Sequence, residues 1–120
     1  MAVAPEKEVK VAQNSLKQAV EPLNTEGIVR AAANKYGISE DYFVSIAMCE
    51  STMNPSAINY GYSENGKDFP AGLFQHLQNY WPARAEKYGY AGASVFDATA
   101  NANVTAQMFK DGLQRYWECN

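Results

Sequence analysis

From Asn24 onward the sequence is divided into helical segments by its own start and stop residues, and this division constrains the fold more than any other feature. Asn24 or Thr25 is a suitable cap for a helix that runs to about Tyr36, where Gly37 ends it. Ser39, followed by two acidic residues, starts a second helix directly afterwards. Strand signals are scarce and no internal repeat is present. The pattern predicts a mainly α fold.

The second predicted helix carries a carboxylate on its apolar face. Phe43, Ile46 and Ala47 lie at positions i, i+3 and i+4 of one stripe, and the next position of that stripe is Glu50. The Asn-Pro pair at 54–55 stops the helix shortly afterwards. The sequence therefore predicts that Glu50 lies in the last turn of the helix, at the start of a loop.

The rest of the chain predicts a loop and two more helices. Residues 59–72 are rich in Gly, Asn, Ser and Tyr, which is typical of an irregular loop lining a cleft or of a small hairpin around the Asn-Gly pair at 65–66. A later helix has Pro82 in its first turn and ends at Gly89. The final helix is capped by Asp97. Its predicted core stripe consists of Ala102, Ala106, Phe109, Leu113 and Tyr116.

The size and charge of the chain limit its function classes. Its 120 residues, 47% of them hydrophobic, suffice for one small domain with a modest core. The net charge of -3 and the pI near 5.1 argue against nucleic acid as a partner, because a phosphate backbone attracts basic surfaces. Two cysteines and one histidine without ligand spacing argue against a metal site. No stretch is long and apolar enough to predict a membrane span.

Residues 1–24 differ from the rest of the chain, since they contain two prolines and no aromatic residue. We interpret them as an N-terminal appendage or linker with weak helical character over residues 6–20, which leaves 25–120 as the folded domain. The first residues lack a basic start followed by an apolar run. No signal peptide is therefore predicted in this chain.

A carboxylate on an apolar stripe has two interpretations. Glu50 is either a partly exposed residue in a salt bridge or capping contact, or a general acid whose pKa is raised because burial disfavours its charged form. The spacing alone favours the first interpretation. The motifs around Glu50 reverse this preference.

Five motifs follow one another in the order in which an enzyme family carries them. They are CESTMNPSAIN at 49–59, AGLFQH at 71–76, YWPARA at 80–85, SVFDATANANV at 94–104 and YWEC at 116–119. With them the chain resembles the soluble lytic transglycosylase family, whose fold is lysozyme-like. The resemblance extends from about residue 27 to residue 119, and it implies a single small lysozyme-like domain.

The resemblance implies an enzyme that needs no cofactor and cleaves peptidoglycan glycan strands between N-acetylmuramic acid and N-acetylglucosamine. Glu50 matches the single acid/base of the family, which protonates the leaving oxygen and then accepts the proton of the muramyl 6-hydroxyl, so that a 1,6-anhydro ring forms. Two alternatives stay open: a hydrolytic muramidase on the same bond, and a catalytically silent glycan-binding or structural module of a larger virion or secretion protein. Each places the chain outside the cell or at the cell envelope.

Five further residues are candidates for substrate binding. Ser51 either positions the acid or bonds the sugar, unless its hydroxyl only satisfies the local backbone. Gln75 matches the GLFQ glutamine, which in the family faces the cleft and bonds the glycan. Asn59 ends the motif that contains the acid, and Tyr60 and Tyr62 in the loop suit stacking on the apolar faces of sugar rings.

The sequence departs from the wider family pattern in the third motif. No tyrosine follows Asn103 and Val104, where the pattern has one, so the partner of the catalytic carboxyl is not identified. Glu64 and Asp68 in the loop are carboxylates that could hold a water, which keeps the muramidase alternative open. His76, the single histidine, is expected to be a hydrogen-bonded scaffold residue and not a base.

The two cysteines lie at matching places of the resemblance. Cys49 precedes the catalytic position and Cys119 nearly ends the chain, as in relatives with a terminal W-x-C segment. The resemblance implies a disulfide between them. Two buried free thiols, which a reducing compartment would favour, are the alternative.

Overall fold

A computed structural model describes residues 24–62 and 66–119. Within these residues the chain forms four α-helices, a two-stranded antiparallel sheet and a 3-10 helix. In chain order they are α1 (Thr25–Lys35), α2 (Glu40–Ser51), β1 (Pro70–Ala71), β2 (His76–Leu77), α3 (Trp81–Lys87), α4 (Ala98–Lys110) and the 3-10 helix Gln114–Tyr116. The predicted mainly α fold class is confirmed.

The first two helices begin at the predicted capping residues. The Asn24 side chain accepts a hydrogen bond from the backbone N–H of Glu26 at 2.9 Å, and the Ser39 hydroxyl accepts one from Tyr42 at 3.3 Å. Gly37, between the helices, has a φ of 74°, which a residue with a Cβ rarely adopts. The capping residues thus fix where α1 ends and where α2, the helix that carries Glu50, begins.

The core is an aromatic cluster between helices. The Phe43 ring of α2 stacks on Phe74 with centroids 4.4 Å apart and meets Phe109 of α4 edge-on at 5.4 Å. Helix α1 packs against both α2 and α4, and most residues of α4 are buried. Helix α4 is therefore the back wall of the core, and α2 is held with its apolar face inward.

The final helix is shorter than the predicted stripe. It ends at Lys110, and Gly112 follows with a φ of 83°. Leu113 is only partly buried, and Tyr116 lies in the 3-10 helix with 55% of its surface exposed. Leu113 still packs against the core from beyond the helix, but the placement of Tyr116 on the core stripe was wrong, because the chain turns at Gly112 before the helical period reaches it.

The hairpin lies later in the chain than the Asn-Gly signal suggests. Strands β1 and β2 pair with Ala71 opposite His76, so the turn is formed by residues 72–75. Ile58 forms a bridge to Ala71, and the Asn59 N–H donates to the Pro70 carbonyl at 2.9 Å. This pairing brings Asn59 and Pro70, which lie on either side of the loop, next to each other.

Gly72 makes the turn possible. Its φ is 84°, and a Cβ on this residue would overlap the Val95 carbonyl oxygen and the Asn101 side-chain amide. The same amide group donates to Val95 at 2.9 Å, and its oxygen accepts the Phe74 N–H at 2.9 Å. The position excludes residues with a Cβ, because the backbone of Gly72 lies directly against the core.

Two further expectations concern the N-terminal segment and membrane spans. The predicted appendage at 1–24 lies outside the described residues, except for Asn24, which caps α1. Across 24–62 and 66–119, the structure has no helix with the length and apolar character that crossing a bilayer requires.

Candidate active site

Glu50 lies where the sequence places it, in the last turn of α2. The helix ends one residue later at Ser51, and Thr52 and Met53 adopt left-handed φ values of 57° and 62°. Two consecutive non-glycine residues in this region make an abrupt end to the helix. The chain therefore turns away immediately after Glu50 and leaves its half-buried side chain at the edge of a pocket.

The pocket has a volume of about 310 Å³, which is at the lower end of the range of ligand sites. Three predicted binding residues, Asn59, Tyr62 and Gln75, line it together with Glu50. The other lining residues are Cys49, Pro70, Leu77, Arg84, Tyr116, Trp117, Glu118 and Cys119. One wall of the pocket is thus the loop and hairpin, and another is the C-terminal segment 116–119.

Burial changes the acidity of Glu50. Loss of solvent around its carboxyl group raises the pKa above the ordinary value, and the negative charge of Glu118 acts in the same direction. The backbone N–H of Cys119 donates a hydrogen bond to the carboxylate and acts in the opposite direction. Burial is the largest of the three effects, so the side chain holds its proton to a higher pH than an exposed glutamate does.

The C-terminal segment is fixed in place by two anchors. The Trp117 indole N–H donates to the Phe74 carbonyl at 2.7 Å, and its ring packs edge-on against Phe109 at 5.0 Å. Cys119 forms a disulfide with Cys49, the bridge that the resemblance implies. These anchors hold the Cys119 N–H against Glu50, so a backbone group contacts the carboxyl for which the sequence had identified no partner.

Gln75 occupies a strained position beside Glu50 in the pocket. Its φ is 60°, and its side-chain Nε2 donates to the carbonyls of Gly72 at 2.8 Å and Ala57 at 3.3 Å. These two bonds fix the orientation of the amide. Its Oε1 is buried and has no donor within hydrogen-bond distance, which holds for no other buried side-chain nitrogen or oxygen in 24–62 and 66–119.

Ser51 and Tyr60 do not line the pocket. The buried Ser51 hydroxyl donates to the Ala47 carbonyl at 3.3 Å and accepts the Asn54 N–H at 3.1 Å. Its hydrogen bonds therefore go to backbone groups at the end of α2. Tyr60 is 70% exposed and its ring contacts Phe69 edge-on at 5.1 Å. Both candidates therefore lie beside the pocket and not in its lining.

Asp68 and His76 also lie outside the pocket lining. Asp68 is buried, and both of its carboxylate oxygens accept the Asn79 N–H at 3.2 Å, while Glu64 lies outside the described residues. His76 is buried and bonds Thr105 and Arg84. Burial and the nearby guanidinium lower its pKa to about 3, so the imidazole is neutral. His76 thus has the hydrogen-bonded position expected of a scaffold residue.

Three residues with polar groups, Arg84, Tyr116 and Glu118, line the pocket without having been predicted from the sequence as site residues. Tyr116 was placed in the core, and Arg84 and Glu118 were not considered. The YWPARA and YWEC motifs contain all three. Their presence in two short motifs was the available signal, but no local periodicity shows that these segments meet α2.

Small domains of the lysozyme class combine a mainly helical fold with a glutamic acid whose pKa is raised by its surroundings. The present chain has a mainly helical fold and a glutamic acid, Glu50, whose pKa is raised by burial. The family model of the transglycosylase SLT domain matches residues 27–119, and the chain belongs to this family. Domains of the family act on cell-wall peptidoglycan, which gives the substrate class. Searches of the curated proteins and of the solved structures gave no significant match.

Proposed function

We propose that the chain is a peptidoglycan lytic transglycosylase in which Glu50 is the single catalytic acid/base. The observation that carries this proposal is the half-buried Glu50 carboxyl, whose pKa is raised and which lies in a pocket. The chain belongs to a family that acts on peptidoglycan, and this membership supports the same proposal. A carboxyl that holds its proton to a higher pH than usual is better suited to act as a general acid. Such catalysis contributes roughly 10²- to 10⁴-fold to a rate.

The proposed reaction has two proton transfers. Protonated Glu50 gives its proton to the glycosidic oxygen as the bond from C1 of N-acetylmuramic acid to that oxygen breaks. The Glu50 carboxylate then accepts the proton of the muramyl 6-hydroxyl as O6 bonds to C1, which closes the 1,6-anhydro ring and restores the acid. The Cys119 N–H supports the carboxylate between the two steps, because a hydrogen bond to the charged form stabilises it.

Three lining residues are proposed to hold the glycan. Gln75 lines the pocket, and we assign it to the glycan because its Oε1 has no donor within residues 24–62 and 66–119. Asn59 and Tyr62 line the same pocket, where Tyr62 offers a ring face to a sugar. The roles of Ser51 and Tyr60 stay predictions. Ser51 would position Glu50 by stabilising the end of α2. Tyr60 would contact a part of the glycan that lies outside the pocket.

The hydrolytic alternative is supported by one specific observation. Glu118 brings a second carboxylate to the pocket of Glu50, and most glycosidases that hydrolyse their substrate use two carboxylates. In that mechanism Glu118 would activate a water, and the product would have a free reducing end. Asp68 does not fit this role, since it is buried and bonded to the backbone of Asn79.

The masses of the products from purified peptidoglycan test the proposal. A transglycosylase releases 1,6-anhydromuramyl products, each one water lighter than the corresponding hydrolysis product. We expect the lighter series. Only reducing-end products would establish the muramidase instead, and a substrate left intact by folded protein would point to a silent glycan-binding module. Membership in a larger virion or secretion assembly stays a prediction.

Replacing Glu118 with glutamine tests the electrostatics of the acid. The substitution removes a like charge, so the pKa of Glu50 is expected to fall. The alkaline limb of the pH profile of kcat/KM then moves to lower pH, because the protonated acid is lost earlier as the pH rises. Glu86→Gln, on the exposed face of α3, is the matched control and should leave the limb unchanged. A limb that stays in place in Glu118→Gln would contradict this account.

A further inference from the structure

Arg84 is a half-buried cation in the same pocket as Glu50. In the part of the chain that the structure describes, no carboxylate lies within ion-pair distance of its guanidinium. Arg30 shows the contrast: it pairs with Glu26, Glu40 and Asp41 on the outside of α1 and α2. A positive charge removed from water is costly unless it is paired, so Arg84 calls for an explanation that Arg30 does not.

A buried hydrogen-bond chain holds the guanidinium in position. The Thr105 hydroxyl donates to the Asn101 carbonyl at 2.7 Å, so its oxygen is left to accept the N–H of His76 Nε2, also at 2.7 Å. The Nδ1 atom of the neutral His76 ring then accepts from Arg84 Nη1 at 2.9 Å. The tautomer follows from this network, and it gives the Arg84 head a fixed place relative to the core.

Aromatic rings flank the same guanidinium. Its central carbon lies 5.3 Å from the centroid of the Tyr80 ring and 5.9 Å from that of Tyr116. Rings at these distances attract a cation and limit its movement, but they do not neutralise its charge. Burial also lowers the pKa of Arg84, which shows that the cation is partly desolvated.

Arg84 has donors that this hydrogen-bond chain does not use. A guanidinium has five N–H groups on three nitrogens, and within 24–62 and 66–119 only Nη1 of Arg84 has a hydrogen bond. The Nε and Nη2 atoms are not sealed in the interior, since Gln75 Oε1 is the buried side-chain atom without a partner in 24–62 and 66–119. Because Arg84 lines the pocket, these donors are available to a ligand there.

We propose that Arg84 forms a carboxylate-binding subsite that takes an acidic group of the peptide stem on the muramoyl residue. This inference rests on the proposed function. In strands that carry stems, the lactyl carboxyl of each muramoyl residue is consumed by the amide bond to its stem, so the free carboxylates of such strands are those of the stems. A planar guanidinium fork fits a carboxylate in a bidentate manner. The pocket would then bind the glycan near Glu50 and a stem near Arg84.

Three substrates and four proteins test the subsite. The substrates are glycan strands with free-carboxylate stems, strands with amidated stems, and strands freed of stems whose exposed lactyl carboxyl groups have been converted to amides. The proteins are the wild type, Arg84→Gln, Arg84→Lys and Arg115→Gln. Arg115 is the matched control, because it also lies over the Tyr116 ring, at 5.3 Å, yet does not line the pocket.

We expect the wild type and Arg115→Gln to prefer free-carboxylate stems. Arg84→Gln should lose roughly 10- to 100-fold in kcat/KM on those strands, the size of one lost charged hydrogen-bonded contact. On stem-free strands its kcat/KM should stay within about threefold of the wild type. Arg84→Lys should recover part of the preference, since it keeps the charge without the fork.

Several results would overturn the subsite while leaving the proposed function intact. One is a wild type that cleaves amidated and free-carboxylate strands equally well, a comparison that needs no variant to fold. Another is an Arg84→Gln protein that loses the same factor on stem-free strands. If the wild type cleaved no strand, the proposed function would fail. The subsite would then be tested by NMR titration of the protein with a soluble stem tripeptide. Saturable binding to the wild type that is lost in Arg84→Gln would support the subsite. The absence of saturable binding to the wild type would refute it.

Discussion

Glu50→Gln is expected to reduce the turnover of peptidoglycan by at least 10²- to 10⁴-fold. The glutamine keeps the size of the side chain and its ability to accept the Cys119 N–H, but it cannot donate a proton to the glycosidic oxygen. The measurement is the rate of product release from purified cell wall at equal concentrations of folded protein. Glu86→Gln, an exposed substitution on α3, should keep the wild-type rate.

The same substitution is expected to leave stability unchanged or to raise it. The pKa of Glu50 is raised in the folded state, so the folded protein binds this proton more tightly than the unfolded chain does. Ionised Glu50 therefore lowers the free energy of unfolding at pH 7, and this loss disappears when the carboxyl is replaced. A thermal melt of Glu50→Gln at pH 7 checks the sign. Retained turnover would remove Glu50 from the mechanism, and a large fall in Tm would make lost activity uninformative.

Removing the Cys49–Cys119 bridge is expected to lower the free energy of unfolding by about 4 kcal/mol. The bridge closes a segment with a sequence separation of 70, so it restricts the unfolded chain strongly. Urea unfolding of the Cys49→Ala, Cys119→Ala double variant measures the effect. The wild type under reducing conditions should show the same loss, whereas a change below about 1 kcal/mol would contradict the chain-entropy argument.

The bridge should also matter for activity at temperatures where the double variant is folded. Cys119 carries the backbone N–H that bonds Glu50, and Trp117, Glu118 and Cys119 all line the pocket. Without the bridge, Trp117 alone anchors this wall through its bond to Phe74. We expect kcat/KM to fall by more than the unfolded fraction explains. Full activity of the folded double variant would show that Trp117 suffices.

Local rules identified the helices of this chain because their boundaries are set by neighbouring residues. Asn24, Ser39 and Asp97 each cap the backbone within three residues, so the cap is visible in the sequence. The i, i+3, i+4 spacing in α2 placed Glu50 at the helix end for the same reason. The spacing could not show whether Glu50 is a capping residue or a catalytic acid. The motifs indicated the family of the chain, and that family favours the acid.

The return of the C-terminal segment to α2 could not be predicted in this way. Cys49 and Cys119 lie 70 positions apart, and no periodic pattern connects them. The resemblance implied their bridge, but it did not reveal that Cys119 also donates its backbone N–H to Glu50. Tyr116 was assigned to the core because its spacing continued the stripe of α4, and the turn at Gly112 was given too little weight.

The hairpin shows how a tertiary contact sets the position of a turn. An Asn-Gly pair at 65–66 is typical of a tight hairpin, but Asn65 lies outside the described residues, and the sheet that the structure describes forms at Pro70–Leu77. Gly72 lies against Val95 and Asn101, and this core contact sets the position of the turn. A glycine forced by close packing cannot be told from an ordinary turn glycine by sequence alone.

The buried imidazole of His76 sets a lower pH limit for the folded protein. Its pKa is about 3 in the folded protein against 6.5 ordinarily, so unfolded chains bind this proton first as the solution is acidified. The stability that the neutral His76 contributes is therefore complete above pH 6.5 and is lost progressively as the pH falls towards 3. Glu50 imposes the opposite demand, because its acid form disappears as the solution becomes alkaline. We therefore expect the pH optimum of activity to lie between these two titrations. Below it the protein loses stability, and above it Glu50 is deprotonated and cannot donate a proton.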